Sequence, residues 1–227
     1  MQNFVSNIIW ETANWKWDLN KIHVFKINVA EKFKDISTEY NAILSDAELL
    51  KSSKYLHNND KERYITSKYF LRLILAQFTE IAPTDLEFSF HNNKKPKLNG
   101  IEFNVSHSGN LILITISSKP IGVDIESINR AFDFESLLEI CFHPEEIKYL
   151  SNNNLDTFYT FWTRKEALLK ATGEGLIDNL ESIDTTKKSD LRKNYNYYWK
   201  TFSLEENYIA SIAYQPTEED QFKFWQI

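Results

Sequence analysis

All five glycines of this chain, Gly100, Gly109, Gly122, Gly173 and Gly175, fall between residues 100 and 175 of its 227. Glycine is the residue that lets a backbone take positive φ, or lie close against another backbone or a ligand. Each glycine in this window adjoins a polar stretch: KKPKLNG, FNVSHSG, IGVDIE or FWTRKEALLKATGEGL. Their gathering suggests backbone approaching a ligand. Gly173 also suits a left-handed helix cap, Gly100 a hairpin turn, and Gly122 a point where backbone or ligand comes close to a strand.

Hydrophobic spacing around this window predicts strands and helices in alternation. KIHVFKINV (21–29) reads as a strand. Ser45–Leu56 opens on SDAE, a capping box, and predicts a short helix. Asp60–Phe78 carries Tyr64, Phe70, Leu71, Ile74, Leu75 and Phe78 at helical spacing, with Pro83 beyond its end. LEFSF predicts a strand, HNNKKPKLNG a polar loop, and IEFNV (running into SHSG) and LILITIS two more strands. Past a candidate seam at SSKP (117–120), IGVDIESI predicts a buried strand. Helices follow at His143–Leu150, with Pro144 in the first turn, and at Leu155–Thr172. NYYWKTF, YIASIAY and FKFWQI close the chain as strands. The order helix, strand, strand thus occurs on both sides of the seam, which suggests a structural duplication without a residue-level repeat.

The bulk numbers narrow the function classes. With 227 residues, 42% apolar and 15% aromatic, the chain can build one large domain or two lobes. A net charge of −6 argues against a general nucleic-acid binder. The single cysteine, Cys141, permits no internal disulfide. No basic-then-apolar leader opens the sequence, and no apolar run approaches the roughly 20 residues of a membrane helix. The expectation is a soluble cytoplasmic protein with neither nucleic-acid nor membrane partners.

Three constellations can carry chemistry. In GVDIE, Asp124 and Glu126 point to one face of a strand and Val123 and Ile125 to the other. Two carboxylates so close suit either a solvated strand end or a cation held between them. On the helix, Trp162, Glu166 and Lys170 share a face. Glu166 and Lys170 read either as a surface ion pair worth about 0.3–0.5 kcal/mol, or as a third metal oxygen and a phosphate ligand. In FNVSHSG, Ser106, His107, Ser108 and the backbone at Gly109 offer donors to a phosphate oxygen, or His107 is a structural turn histidine. Ser106 and His107 do not make a nucleophile and base, because adjacent strand residues face opposite ways. Basic residues gather as Lys51 with Lys54, as Arg63 with Lys68 and Arg72, and as Lys94, Lys95 and Lys97 around Pro96, runs that usually form solvated faces.

Read in order, KKPKL, FNVSHSG, GVDIE and FWTRKEALLKATGEGL resemble the 4′-phosphopantetheinyl transferases, in the larger two-lobed class that activates peptide and polyketide synthases. YLHNNDKERYITSKYFLR resembles the amino-terminal helix pair of that class, except that Glu48 and Ser53 stand where basic residues are frequent. The resemblance implies an α+β fold of two similar pseudo-twofold lobes, residues 1–118 and 119–227, each a small antiparallel sheet packed with helices, with coenzyme A in the cleft between them. It implies Mg²⁺-dependent transfer of phosphopantetheine from coenzyme A to a serine of an apo acyl or peptidyl carrier protein, releasing adenosine 3′,5′-bisphosphate, by a monomer. Asp124, Glu126 and Glu166 match the metal ligands. Glu166, Lys170 and His107 match catalytic positions, and Lys51, Arg63, Lys95, Ser106, His107 and Lys170 match positions that bind coenzyme A. Lys165 and Trp162 match supporting positions. The alternative is a non-catalytic module that binds coenzyme A and carrier proteins.

Overall fold

The computed structural model describes residues 4–5, 8–13, 19–90, 95–150, 154–175, 179–205, 207–216 and 221–227. Lys94, Leu176 and parts of the amino-terminal stretch lie outside them. Two short strands, β1 (Phe4–Val5) and β2 (Glu11–Thr12), precede β3 (Ile22–Asn28). Asn28 caps α1 (Val29–Ile36) by accepting the Glu31 N–H, one of the donors a helix start leaves open. α2 (Asp46–Ser52) begins on the predicted capping box, in which Ser45 and Glu48 each accept the other's backbone N–H, but stops short of Leu56. α3 (Asn58–Thr79) buries Phe70, Leu71, Ile74 and Leu75.

LEFSF forms only the two-residue β4 (Ser89–Phe90), paired with β5 (Pro96–Lys97), because Leu86 turns inward and its carbonyl accepts from the Arg72 guanidinium. β6 (Glu102–Ser108) and β7 (Leu111–Ser117) follow, then β8 (Ile121–Ser127) past the seam. Because β6 runs through to Ser108, His107 is a strand residue rather than a turn histidine. Next come α4 (Leu138–Cys141), α5 (Pro144–Leu150) and α6 (Leu155–Thr172), then β9 (Ser189–Arg192), β10 (Tyr195–Leu204), β11 (Tyr208–Tyr214) and β12 (Phe222–Gln226).

The predicted duplication of element order is present as topology. One sheet has the order β2-β12-β3-β7-β6 and the other β1-β10-β11-β8, with β9 on β10. In each, a first strand leads through helices to a hairpin whose second strand returns beside the first, giving β3-β7-β6 and β8-β11-β10, all antiparallel. The end strands cross over. β12 lies parallel to β3 in the first sheet, and β1 lies parallel to β10 in the second.

Side-chain alternation builds the layers. Ile22 and Val24 of β3, Leu111 and Leu113 of β7, Val123 and Ile125 of β8, and Ala210 and Ile212 of β11 meet in a core between the two sheets. The opposite face of the first sheet packs on α3, through residues such as Ile27, Ile114 and Ile74. That of the second packs on α6, through Phe161, Leu168 and Trp199. Among the described residues no helix is long and apolar enough to cross a membrane.

Two buried ion pairs fasten the helices. Arg72 and Glu48 pair at 2.7 Å, so Arg72 does not belong to a solvated basic face, and the acidic residue at this often basic position joins α2 to α3. Lys165 is 1% exposed and reaches Glu146 at 2.8 Å, along with the carbonyls of Leu180 and Ile183. Glu146 in turn accepts from His143 and Thr185. Lys165→Met is expected to cost about 3–5 kcal/mol by leaving the Glu146 charge buried without its partner. Chemical denaturation read by fluorescence checks this, and a loss below about 1 kcal/mol would contradict it.

Candidate active site

The two sheets meet at the edges of β6 and β8, and side chains rather than backbone close the join. Asn104, Ser106 and Ser108 alternate along β6. Their side-chain oxygens accept the N–H groups of Val123, Ile125 and Ser127 at 2.9, 3.3 and 2.9 Å. This satisfies the donors of an otherwise unpaired strand edge. The same hydroxyls then hold the acids of β8. Ser106 donates to Asp124 Oδ1 at 3.0 Å, and Ser108 donates to Glu126 Oε2 at 3.1 Å. Asn104 has no role in the sequence reading, because the N-x-S-x-S alternation gains meaning only when folding sets it beside D-x-E.

α6 lies across β8 on the side to which Asp124 and Glu126 point. It can do so because of Gly122, where a Cβ would overlap the Ala167 carbonyl oxygen and the Ala171 backbone nitrogen. Gly122 therefore admits a helix backbone rather than a ligand. The other glycines divide: Gly173 is the left-handed cap of α6 and Gly100 turns at φ +78°, while a Cβ on Gly109 would strike the Tyr208 hydroxyl.

This packing brings Glu166 and Lys170 over the β8 acids. Lys170 Nζ donates to Asp124 Oδ1 at 2.6 Å and to Ser106 Oγ at 3.0 Å, so its ion pair is with the strand and not with Glu166. Asp124 is 4% exposed, and its second oxygen, Oδ2, is buried without a hydrogen-bond partner. Glu166 accepts no hydrogen bond among the described residues. Burial raises the pKa of all three acids. The neighbouring Asp124 charge adds to this for both glutamates, and Glu126 is pushed up to about 7. Three carboxylates that strain against ionisation, one with an orphaned oxygen, form a hard-oxygen donor set that a divalent cation would relieve. As they stand, no three acidic, histidine or cysteine side chains among the described residues converge as a metal cluster.

The remaining predicted residues surround this centre at different distances. His107 points to the other face of β6, toward the start of α3, as the alternation requires. Its ring stays exposed, yet nearby protein atoms and, after them, the Arg63 charge hold its pKa below the usual histidine value. Arg63 pairs with Asp60 and donates to the Gly109 carbonyl at 3.3 Å. Lys95 stands at the opposite end of the seam, where it donates to the Ile121 carbonyl at 3.1 Å and burial lowers its pKa. It lines a cleft of about 550 Å³ with Lys97, Glu102, Lys193, Tyr195 and the end of α6. Lys51 is not drawn into the cluster and lies with its ammonium 5.3 Å from the Tyr64 ring centre. Trp162 is only partly buried, and it lines a smaller cavity beside Glu126 instead of disappearing into the core.

A duplicated α+β topology with acids, a lysine and serines at the seam suits phosphate chemistry, and comparison with known proteins supplies a family. The model of the 4′-phosphopantetheinyl transferase superfamily matches residues 120–213. A 4′-phosphopantetheinyl transferase of Bacillus subtilis is 30% identical over 177 residues, covering 72% of this chain and 78% of that protein. The 4′-phosphopantetheinyl transferase HetI of Nostoc is 29% identical over 226 residues, 91% of this chain and 92% of HetI. A putative 4′-phosphopantetheinyl transferase of Synechocystis is 35% identical over 154 residues, 63% of each chain. The chain belongs to the 4′-phosphopantetheinyl transferase superfamily. Its nearly full-length likeness to HetI places it in the larger class of that family.

Proposed function

We propose that this chain transfers the 4′-phosphopantetheine group of coenzyme A to a serine hydroxyl of an apo acyl or peptidyl carrier protein, releasing adenosine 3′,5′-bisphosphate. The observation that carries this reading is that Lys170 and Ser106 bind Asp124 at the seam while Glu126 and Glu166 lie near enough for the Asp124 charge to raise their pKa values. In the reaction the serine oxygen bonds to the phosphorus that bears pantetheine. The bond from that phosphorus to the bridging oxygen breaks, and the bisphosphate leaves with the electron pair. The serine proton passes to Glu166, directly or through water. Glu166 suits that role because it is unpartnered and its raised pKa makes it a stronger base than an ordinary carboxylate. Lys170, its side chain 29% exposed, can swing from Asp124 onto the pyrophosphate. Ser106 and His107 orient phosphate oxygens, Lys95 serves the nucleotide end within its cleft, and Arg63, at the other end of the seam, and Lys51 are basic positions that the family resemblance assigns to coenzyme A.

Asp124, Glu126 and Glu166 would hold Mg²⁺, and the partnerless Asp124 Oδ2 supports that fit. Bound there, the ion supplies charge neutralisation for the phosphates. Removing divalent ions with a chelator is expected to abolish transfer and added Mg²⁺ to restore it, with the melting temperature rising on addition. Full activity in chelator would contradict the assignment. The lobes are taken as residues 1–118 and 119–227 with their end strands exchanged, working as a monomer in the cytoplasm.

The Lys170–Asp124 contact is also what a non-catalytic coenzyme A and carrier-binding module would keep, its site permanently closed. Incubation with fluorescent coenzyme A and a panel of apo carrier proteins separates the readings. A labelled carrier serine is expected. Tight coenzyme A binding with no labelled carrier would favour the module.

A further inference from the structure

We propose that a buried polar row across the second sheet holds Glu166 in place, with Thr163 and Arg164 of α6 as positioning residues for the transfer, an assignment that rests on the transferase reading above. Asp124 of β8 stands opposite Ser211 of β11, and Ser211 stands opposite Thr201 of β10. Residues opposite each other on neighbouring strands point to one face of a sheet. Three polar side chains therefore run in line beneath α6, on a face otherwise packed through residues such as Trp199 and Ile209. Thr201, Ser211 and Thr163 are wholly buried, and Arg164 is 2% exposed. None of these four takes part in the transfer step.

α6 touches the row at each of its three members. Thr163 Oγ1 lies 2.8 Å from Ser211 Oγ, Arg164 Nε donates to Thr201 Oγ1 at 2.9 Å, and Lys170 reaches Asp124. The hydroxyls form a chain that runs one way. Thr163 donates to the Thr160 carbonyl at 3.2 Å, so it accepts from Ser211. Ser211 then accepts from Thr201 at 2.9 Å, and Thr201 accepts from the guanidinium. Each hydroxyl has one proton to give, so the chain needs at its head a group that only donates. Arg164 is that group. Burial lowers its pKa to about 10, which leaves it charged at neutral pH, and its Nη1 also donates to the Thr185 carbonyl at 2.9 Å.

Apolar packing has no direction and tolerates a helix that slides or turns. This chain of bonds does not, because any shift of α6 leaves buried donors and acceptors unmatched. Thr163, Glu166 and Lys170 lie at i, i+3 and i+7, on one stripe of the helix. Glu166 is thus flanked by two ties to the sheet. The later tie opens when Lys170 leaves Asp124 for the pyrophosphate, and the Thr163 tie remains to hold the base beside Asp124 through the step. A guanidinium taken out of water, in a place that methionine could fill, fits a residue kept for alignment.

The test replaces the row's partners by apolar side chains of like shape: Arg164→Met, Thr163→Val, Thr201→Val and Ser211→Ala together. With the four replaced at once no hydroxyl is left stranded, so the melting temperature is expected within about 4 °C of wild type or above it. Single-turnover labelling of an apo carrier, at saturating coenzyme A and Mg²⁺, should nonetheless fall roughly 10²-fold, the effect of a displacement of about 1 Å at the reacting groups. Two single variants separate the hydroxyl from the shape. Thr163→Ser keeps the bond and should stay within about threefold of wild type, whereas Thr163→Val keeps the shape and should lose roughly tenfold. A fourfold variant with wild-type rate as well as wild-type stability would overturn the assignment, since a row that only holds the fold would behave so. Equal rates in the two Thr163 variants would overturn it too, and they decide the matter if the fourfold variant is unstable. Absence of transfer from coenzyme A by the wild type would instead sink the transferase reading, and this assignment with it.

Discussion

Gly122→Ala is expected to lower the melting temperature by roughly 6–12 °C and to remove most transfer activity at temperatures where the protein still folds. The added methyl has nowhere to go, because the atoms it meets are the Ala167 carbonyl oxygen and the Ala171 nitrogen of α6. Side chains can rotate away from an intruder and helix backbone cannot, so the helix must shift. Overpacking of this kind costs about 3 kcal/mol at the upper end of its usual range, which in a chain of this size gives the stated change in melting temperature. The shift also carries Glu166 and Lys170 away from Asp124, so activity falls further than stability. Because the collision is with backbone, trimming the neighbour through Ala171→Gly should not rescue it. Differential scanning calorimetry and carrier labelling on the single and double variants measure both effects. A variant that melts within 2 °C of wild type, or a double variant that recovers, would show that α6 does not seat on Gly122 as described.

Gly122 also shows where reading the sequence succeeds and where it stops. The composition of the window said that backbone would approach something there, but spacing alone could not say whether that something was a ligand or a helix forty residues onward. Hydrophobic spacing found α3, α6 and β8, and a nearly unbroken apolar run found β7, which is buried on both faces. It could not find the Asn104, Ser106 and Ser108 ladder, since those oxygens act on a strand edge brought near only by folding. It also misjudged Arg72, because charge on a helix reads as solvent-facing until its partner is placed, whereas Lys165 reads as a supporting position through the family resemblance. Lys165 and Arg72 are buried only because Glu146 and Glu48 come from other elements to meet them. The acids of the site were legible as a pair on one strand and a third on a helix, because two-residue and four-residue spacings fix their faces. That the three belong to one site was implied only by the order of the motifs.

Glu166→Gln is expected to reduce carrier labelling by about 10²–10⁴-fold while coenzyme A affinity changes by no more than about twofold. The amide keeps the shape of the side chain, and the Lys170, Asp124 and Ser106 contacts do not pass through it. What disappears is the carboxylate proposed both to take the serine proton and to be one oxygen ligand of Mg²⁺, so the proton loses its acceptor and the ion one of its ligands. Stability should move the other way. Glu166 is ionised at a cost, since burial and the Asp124 charge both oppose it, and a neutral amide removes that cost. The melting temperature of the metal-free variant should therefore equal or exceed that of the wild type, as expected where a residue is kept for chemistry at the expense of the fold. Calorimetry with coenzyme A, a thermal melt in chelator and single-turnover labelling make the three measurements. Undiminished labelling would remove Glu166 from the reaction. Lost labelling together with a lowered melting temperature would mean that its part is structural, and the proton would then need another acceptor at the seam.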